Sequence, residues 1–98
     1  MRIRILSSAM EDLYVGRLFY EKQGAGLGEY FFDSLFSDID SLVLYAGIHN
    51  KIFGYHRLLS KRFPYAIYYT IEADLVTVNR ILDLRRHPGR IHQALKPK

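Results

Sequence analysis

A chain of 98 residues without cysteine fits one small domain and excludes disulfides, thiolate catalysis and cysteine-based zinc sites. The composition is 49% hydrophobic and includes eight Tyr and no Trp; this supports one modest core burying roughly 60–65% of the unfolded surface, with phenols that need water or a partner. The net charge of +4 is unevenly placed. Residues 1–50 carry four cations against seven carboxylates, a net of −3, whereas residues 51–98 carry ten cations against three, a net of +7. The second half therefore holds the surface for anionic partners, nucleic acid or an acidic protein.

Residues 1–7 alternate charged and apolar side chains (Arg2, Ile3, Arg4, Ile5) and predict a half-buried strand. The first residues have no apolar run of signal-peptide length. No run approaches the ~20 residues of a membrane span. No membrane association is expected, and the expected location is the cytoplasm. Ser7 or Ser8 offers an N-cap, with Glu11 and Asp12 expected in the first helical turn. A first helix is predicted from Ala9 to Gln23, with a loose stripe of Met10, Leu13, Tyr14, Leu18 and Tyr20. Gly24, Gly26 and Gly28 mark a tight reversal. A second helix is predicted from Leu27 to Tyr45, where Phe32, Leu35, Phe36, Ile39, Leu42 and Val43 recur at helical spacing. Residues 9–45 thus form an antiparallel helical hairpin.

The period then changes to two. Residues 53–84 predict a three-stranded meander: Phe53–Ser60, Tyr65–Ile71 and Leu75–Leu82. Alternation puts Tyr65 and Tyr69 on one face with Ile67 and Ile71, and Tyr68 on the other, where its ring is a candidate base-stacking group. His49 and His56 lack metal-ligand spacing and read as surface or loop residues. No metal or cofactor is expected. Residues 85–98 form a basic C-terminal segment, of which 93–98 read as a frayed tail. The order strand, two helices, three strands gives an α+β single domain over 1–98, with the hairpin packed on an antiparallel sheet.

Two cationic groups are candidate sites. Arg57, Lys61 and Arg62 precede Phe63-Pro64, and Arg85, Arg86, His87, Arg90 and His92 follow the last strand. Metal-free RNA cleavage needs a base, cations for the phosphorane charge and an acid, roles that Arg, His and Tyr can fill. The plainer reading of the C-terminal group is a solvated basic edge that binds an acidic partner; the first group could grip phosphates or be ordinary edge-strand charges that discourage aggregation.

Three stretches, Asp12–Leu35, Arg62–Val78 and Arg80–Ile91, resemble the RelE/ParE toxin superfamily: its Tyr-rich first helix, Gly-Leu-Gly turn, Phe-Pro-Tyr strand and closing Arg-Arg-x-Pro segment. The resemblance implies the toxin of a type II toxin–antitoxin pair, forming a hetero-oligomer with an acidic antitoxin. It implies either ParE-like inhibition of DNA gyrase or RelE-like cleavage of mRNA on the ribosome. For the second activity it implies Arg62, Arg86 and His92 as catalytic residues. Antitoxin or target binding falls to Arg57, Lys61, Arg62, Arg85, Arg86, His87 and Arg90. The RelE-like enzymes carry an arginine where this chain has Ala66. Asp83 stands where relatives carry His, and His87 where they often carry Asp. Asp83 and His87 together suggest a local swap of polar partners. Ala66, the absence of a lysine-rich second helix and Asp83 favour gyrase inhibition by binding, with mRNA cleavage and an inactive binding relative as the alternatives. Asp83 is expected to pair with Arg85 or Arg86.

Overall fold

A computed structural model of the chain describes residues 1–96. The elements are β1 (Arg2–Ile5), α1 (Ser7–Gln23), α2 (Leu27–Asp40), α3 (Leu42–Tyr45), β2 (Lys51–Ile52), β3 (Tyr55–Leu59), β4 (Tyr65–Glu72), β5 (Leu75–Asp83) and α4 (Pro88–Leu95). They form one five-stranded sheet in the order β1-β5-β4-β3-β2. The α+β class stands as read. The sheet is mixed rather than wholly antiparallel, because β1 lies parallel to β5, with Ile3 opposite Val76 and Ile5 opposite Val78.

Two apolar clusters cover the two sheet faces. The larger joins Ala9, Leu13, Phe31, Leu35, Ile39 and Leu42 of the helices to Tyr65, Ile67, Tyr69, Val76, Val78 and Ile81. The smaller joins Ala66, Tyr68 and Leu82 to Ile91 and Leu95 of α4. The expected facing of Tyr65 and Tyr69 against Tyr68 is therefore present. Strand β5 keeps facing the hairpin only because of a bulge. Tyr68 is opposite Arg80, but Tyr69 is opposite Val78. The extra residue, Asn79, moves the core position from Val78 to Ile81.

The helices pack closely because two glycines stand at their crossing. A Cβ on Gly16 would lie 2.6 Å from the Phe31 ring, and one on Gly28 would lie 2.6 Å from the Arg17 carbonyl. Glu21 of α1 accepts from the N–H groups of Gly26 and Gly28 at 3.2 and 3.0 Å, satisfying free donors at the start of α2.

Several expectations are corrected. Helix α1 begins at Ser7, two residues early, with Leu6 at its N-cap and no side-chain cap. Glu11 and Asp12 consequently lie beyond its first turn. The loose stripe of α1 splits: Ala9, Leu13 and Gly16 are buried, while Tyr14, Val15 and Leu18 are exposed. The second helix breaks at Ser41, whose hydroxyl donates to the Asp38 carbonyl at 2.6 Å; such local bonds compete with the helical ladder. Its buried stripe includes Phe31, with Phe32 and Phe36 only flanking the core and Val43 exposed. The strand expected from Phe53 is a hairpin, β2–β3, turning at Phe53 and Gly54, both with positive φ. Of the expected tail at 93–98, residues 93–95 belong to α4, which buried Ile91 and Leu95 anchor; residues 97–98 lie outside the described residues. His49 lies in the loop before β2, as expected, whereas His56 lies on β3, and both rings have partners. His49 Nδ1 hydrogen-bonds the Tyr69 hydroxyl, which also accepts from the Gly47 N–H at 3.0 Å. His56 Nδ1 bonds the His49 carbonyl at 2.7 Å, and its ring stacks on Tyr69.

Strand β1 ends at Ile5, so the far half of β5, paired with β4 on one side, has no strand on the other. Helix α1 closes it. Ser8 donates to the Asn79 carbonyl at 2.9 Å, and Asp12 accepts from the Ile81 N–H at 2.9 Å. Asp12 also grips Arg80 with two bonds of 2.8 and 2.9 Å. Replacing Asp12 with Ala should cost roughly 2–3 kcal/mol, because it strands a half-buried guanidinium and an edge amide together. Urea unfolding measures this; a change below about 0.5 kcal/mol would contradict the role.

Burial, and then the nearby His56, hold the His49 imidazole below its ordinary value of 6.5. The folded state therefore binds fewer protons than the unfolded chain just below that value. Stability from this contact is complete above about pH 6.5 and is lost as the pH falls. The thermal midpoint should drop between neutral pH and about pH 5, and drop less in His49→Gln. Equal slopes for the two proteins would remove His49 as the cause.

Candidate functional site

The cations expected from the sequence separate into three places. The first is a groove of about 260 Å³ on the α4 side of the sheet, lined by Ile52, Phe53, Arg57, Tyr68, Leu84, Arg86, Pro88 and Ile91. Strand pairing builds it: Arg57 of β3 is opposite Tyr68 of β4, which is opposite Arg80 of β5. Arg57 and Arg86 are its cations. Burial pushes the Tyr68 phenol up, and Arg57 beside it pulls partly back. Tyr68 is only 1% exposed, so its ring is the groove's floor and not a free stacking face.

The second place lies on the hairpin side. Lys61 and Arg62 line a recess with Tyr30, Asp33, Ser34, Ser37 and Asp38. The Arg62 guanidinium donates to the Tyr30 hydroxyl at 2.9 Å and sits 5.8 Å above its ring. Buried Asp38 accepts from the Ser60 hydroxyl at 2.8 Å, tying α2 to the β3–β4 connection.

The third place is the free end of β5 beside α1. Asp83 binds Arg85 through two side-chain bonds of 2.9 and 2.7 Å and accepts from its backbone N–H. Burial raises the Asp83 carboxyl, but these bonds and the charges of Arg85 and Arg86 bring it below its ordinary value. Arg85 also lies 5.4 Å over Phe19. Burial, reinforced by Asp83, pushes the nearby Tyr65 phenol up to about 12. Arg86 lines a second cavity here, with Val15, Phe19, Tyr65 and Asp83. Arg86 therefore stands between this cavity and the groove.

The other candidates have structural partners or stand free. His87 caps α4, accepting from the Gly89 N–H at 3.0 Å, a task for which an aspartate would also serve. Arg90 is exposed on α4. His92 stacks on Phe53, with ring centroids 4.2 Å apart, and lines a hollow on that side with Tyr55 and Thr70. Arg62, Arg86 and His92 do not line one common cavity. Arg57 and Arg86 do, together with a tyrosine.

Sequence reasoning missed Phe53, Arg80 and the outer face of α1. Phe53 gave a signal in the Phe-Gly pair, which is a two-residue turn of the Asn-Gly kind. Tyr14, Val15, Leu18 and Phe19 are 42–64% exposed along α1, an apolar strip that the imperfect helical period already hinted at.

Among the described residues, no group of three or more His, Asp or Glu could hold a metal ion, and no helix is long and apolar enough to cross a membrane. No protein-family model matches the chain, and no curated protein matches it. Among solved structures, the chain is similar to one described as "Chromosomal ParDE TA system from P. aeruginosa". The TM-score is 0.72 at 16% sequence identity, over 86% of this chain and 96% of that one. What the likeness shows is a shared fold.

Proposed function

We propose that this protein is the toxin of a type II toxin–antitoxin pair, and that it acts by binding DNA gyrase in the manner of ParE-like toxins. The observation that carries the reading is the dispersal of the candidate catalytic set. General acid–base cleavage needs a base and an acid within hydrogen-bond reach of one substrate. Here Arg62 is bound over Tyr30 on the hairpin side, Arg86 lines the groove and His92 is stacked on Phe53 outside it. The phenol in the groove is raised by burial, which suits a neutral floor and not a base. The fold shared with a chain of a ParDE system supports the same direction.

The partner that silences the toxin is an acidic antitoxin. The strip of Tyr14, Val15, Leu18 and Phe19 offers an apolar face for an amphipathic segment. Arg86, which lines a cavity with Val15 and Phe19, offers charge to that segment's carboxylates. Such a pair forms a hetero-oligomer in the cytoplasm and needs no cofactor.

One observation favours a second reading, a ribosome-dependent mRNA endonuclease. Arg57 and Arg86 share a groove and could hold a phosphate between them. The two readings separate on conditional expression without antitoxin, with one culture divided between plasmid supercoiling and mRNA 5′-end mapping. Relaxed or broken DNA with intact messages is expected. Codon-phased cuts with normal supercoiling would transfer the assignment to the ribonuclease, and normal growth with neither signal would remove the toxin altogether.

A further inference from the structure

Phe53 occupies a backbone position that its side chain disfavours. It is the first of two left-handed residues in the β2–β3 turn, with φ 54°, a place where Asn or Gly is usual. Its ring is 43% exposed, so core burial does not hold it there. Its close partner is the His92 ring on α4, stacked at 4.2 Å with 10° between the planes. A strained backbone persists where its surroundings over-determine it, and such positions cluster at working sites.

The contacts around this stack all reach the same helix. Tyr55, two residues after Phe53, donates from its hydroxyl to the Leu95 carbonyl at 3.0 Å. Arg80 donates to the Ala94 carbonyl at 3.2 Å. Phe53 itself lines both the Arg57–Arg86 groove and the hollow beside His92; it is the wall between them.

We propose that Phe53 is a positioning residue: its ring, held on the His92 ring, latches α4 to the β2–β3 hairpin and fixes the width of the Arg57–Arg86 groove. The inference goes beyond the proposed function and holds for whatever the groove admits. A turn residue without this role and a latch differ in what they predict for α4. Phe53→Asn relieves the strained turn, so a mere turn residue would leave the protein equally or more stable and α4 unchanged. A latch would leave global stability equal or higher while α4 loosened.

The full-length Phe53→Asn protein tests this by hydrogen exchange and NMR, with neither gyrase nor ribosome present. Amides of α4 should exchange about tenfold faster while those of β4 and β5 do not change. The His92 ring protons should lose their upfield ring-current shift. Phe53→Tyr, which keeps the stack, should restore both signals. Unchanged α4 exchange and unchanged His92 shifts in Phe53→Asn would overturn the proposal. Should that variant not fold, His92→Ala removes the stack and leaves the turn intact. Faster α4 exchange there supports the latch, and wild-type exchange overturns it.

Discussion

The carboxylate of Asp12 is the contact on which the arrangement of both sheet faces depends. Strand β5 is central along its first half and an edge along its second, because β1 is only four residues long. A free edge beside an apolar core would leave amides unsatisfied and invite pairing with other chains. Asp12 answers both needs from within α1: it accepts from the Ile81 amide and holds the Arg80 guanidinium. Arg80 in turn reaches the Ala94 carbonyl of α4. One chain of bonds therefore runs from the helical hairpin around the edge of β5 to the helix on the opposite face. The bulge at Asn79 makes this possible, since it turns Ile81 toward the hairpin and Arg80 toward α4.

The same geometry sorts the cations. Three arginines have carboxylate partners among the described residues: Arg2 with Asp74 at the surface, and Arg80 with Asp12 and Arg85 with Asp83, which stiffen the frame. Arg57, Arg86 and Arg90 have no carboxylate partner among the described residues. The excess charge of the second half of the sequence thus becomes a smaller, directed set of free cations around α4 and the end of β5. A surface of dispersed cations beside an apolar helical strip suits protein recognition. Among the described residues, Arg62, Arg86 and His92 line no common cavity.

The hairpin, the strand order along the chain and the facing of Tyr65, Tyr68 and Tyr69 were legible because periodicity of 3.6 or 2 reports burial directly. The Asp83–Arg85 pair was legible because its partners are two residues apart. The parallel pairing of β1 was not, since nothing in Arg2–Ile5 names its neighbour. Asp12 was read as a helix-dipole residue, because its true partners, Arg80 and Ile81, lie 68 and 69 residues away. The C-terminal helix was hidden by its charge: only Ile91 and Leu95, one helical turn apart, carry its apolar face. The separation of Arg62 from Arg86 and His92 is likewise a property of the folded chain, as their basic character is all the sequence displays.

The central claim is that the protein works by binding gyrase and not by cutting RNA. The most direct measurement adds the purified protein to purified DNA gyrase and relaxed plasmid, and in parallel to translating ribosomes with a labelled message. The account predicts that supercoiling stops while the message stays whole, and that charge reversal at Arg86 and Arg90 weakens the effect. A cleaved message with undisturbed supercoiling would contradict it and return the Arg57–Arg86 groove to the role of an active site.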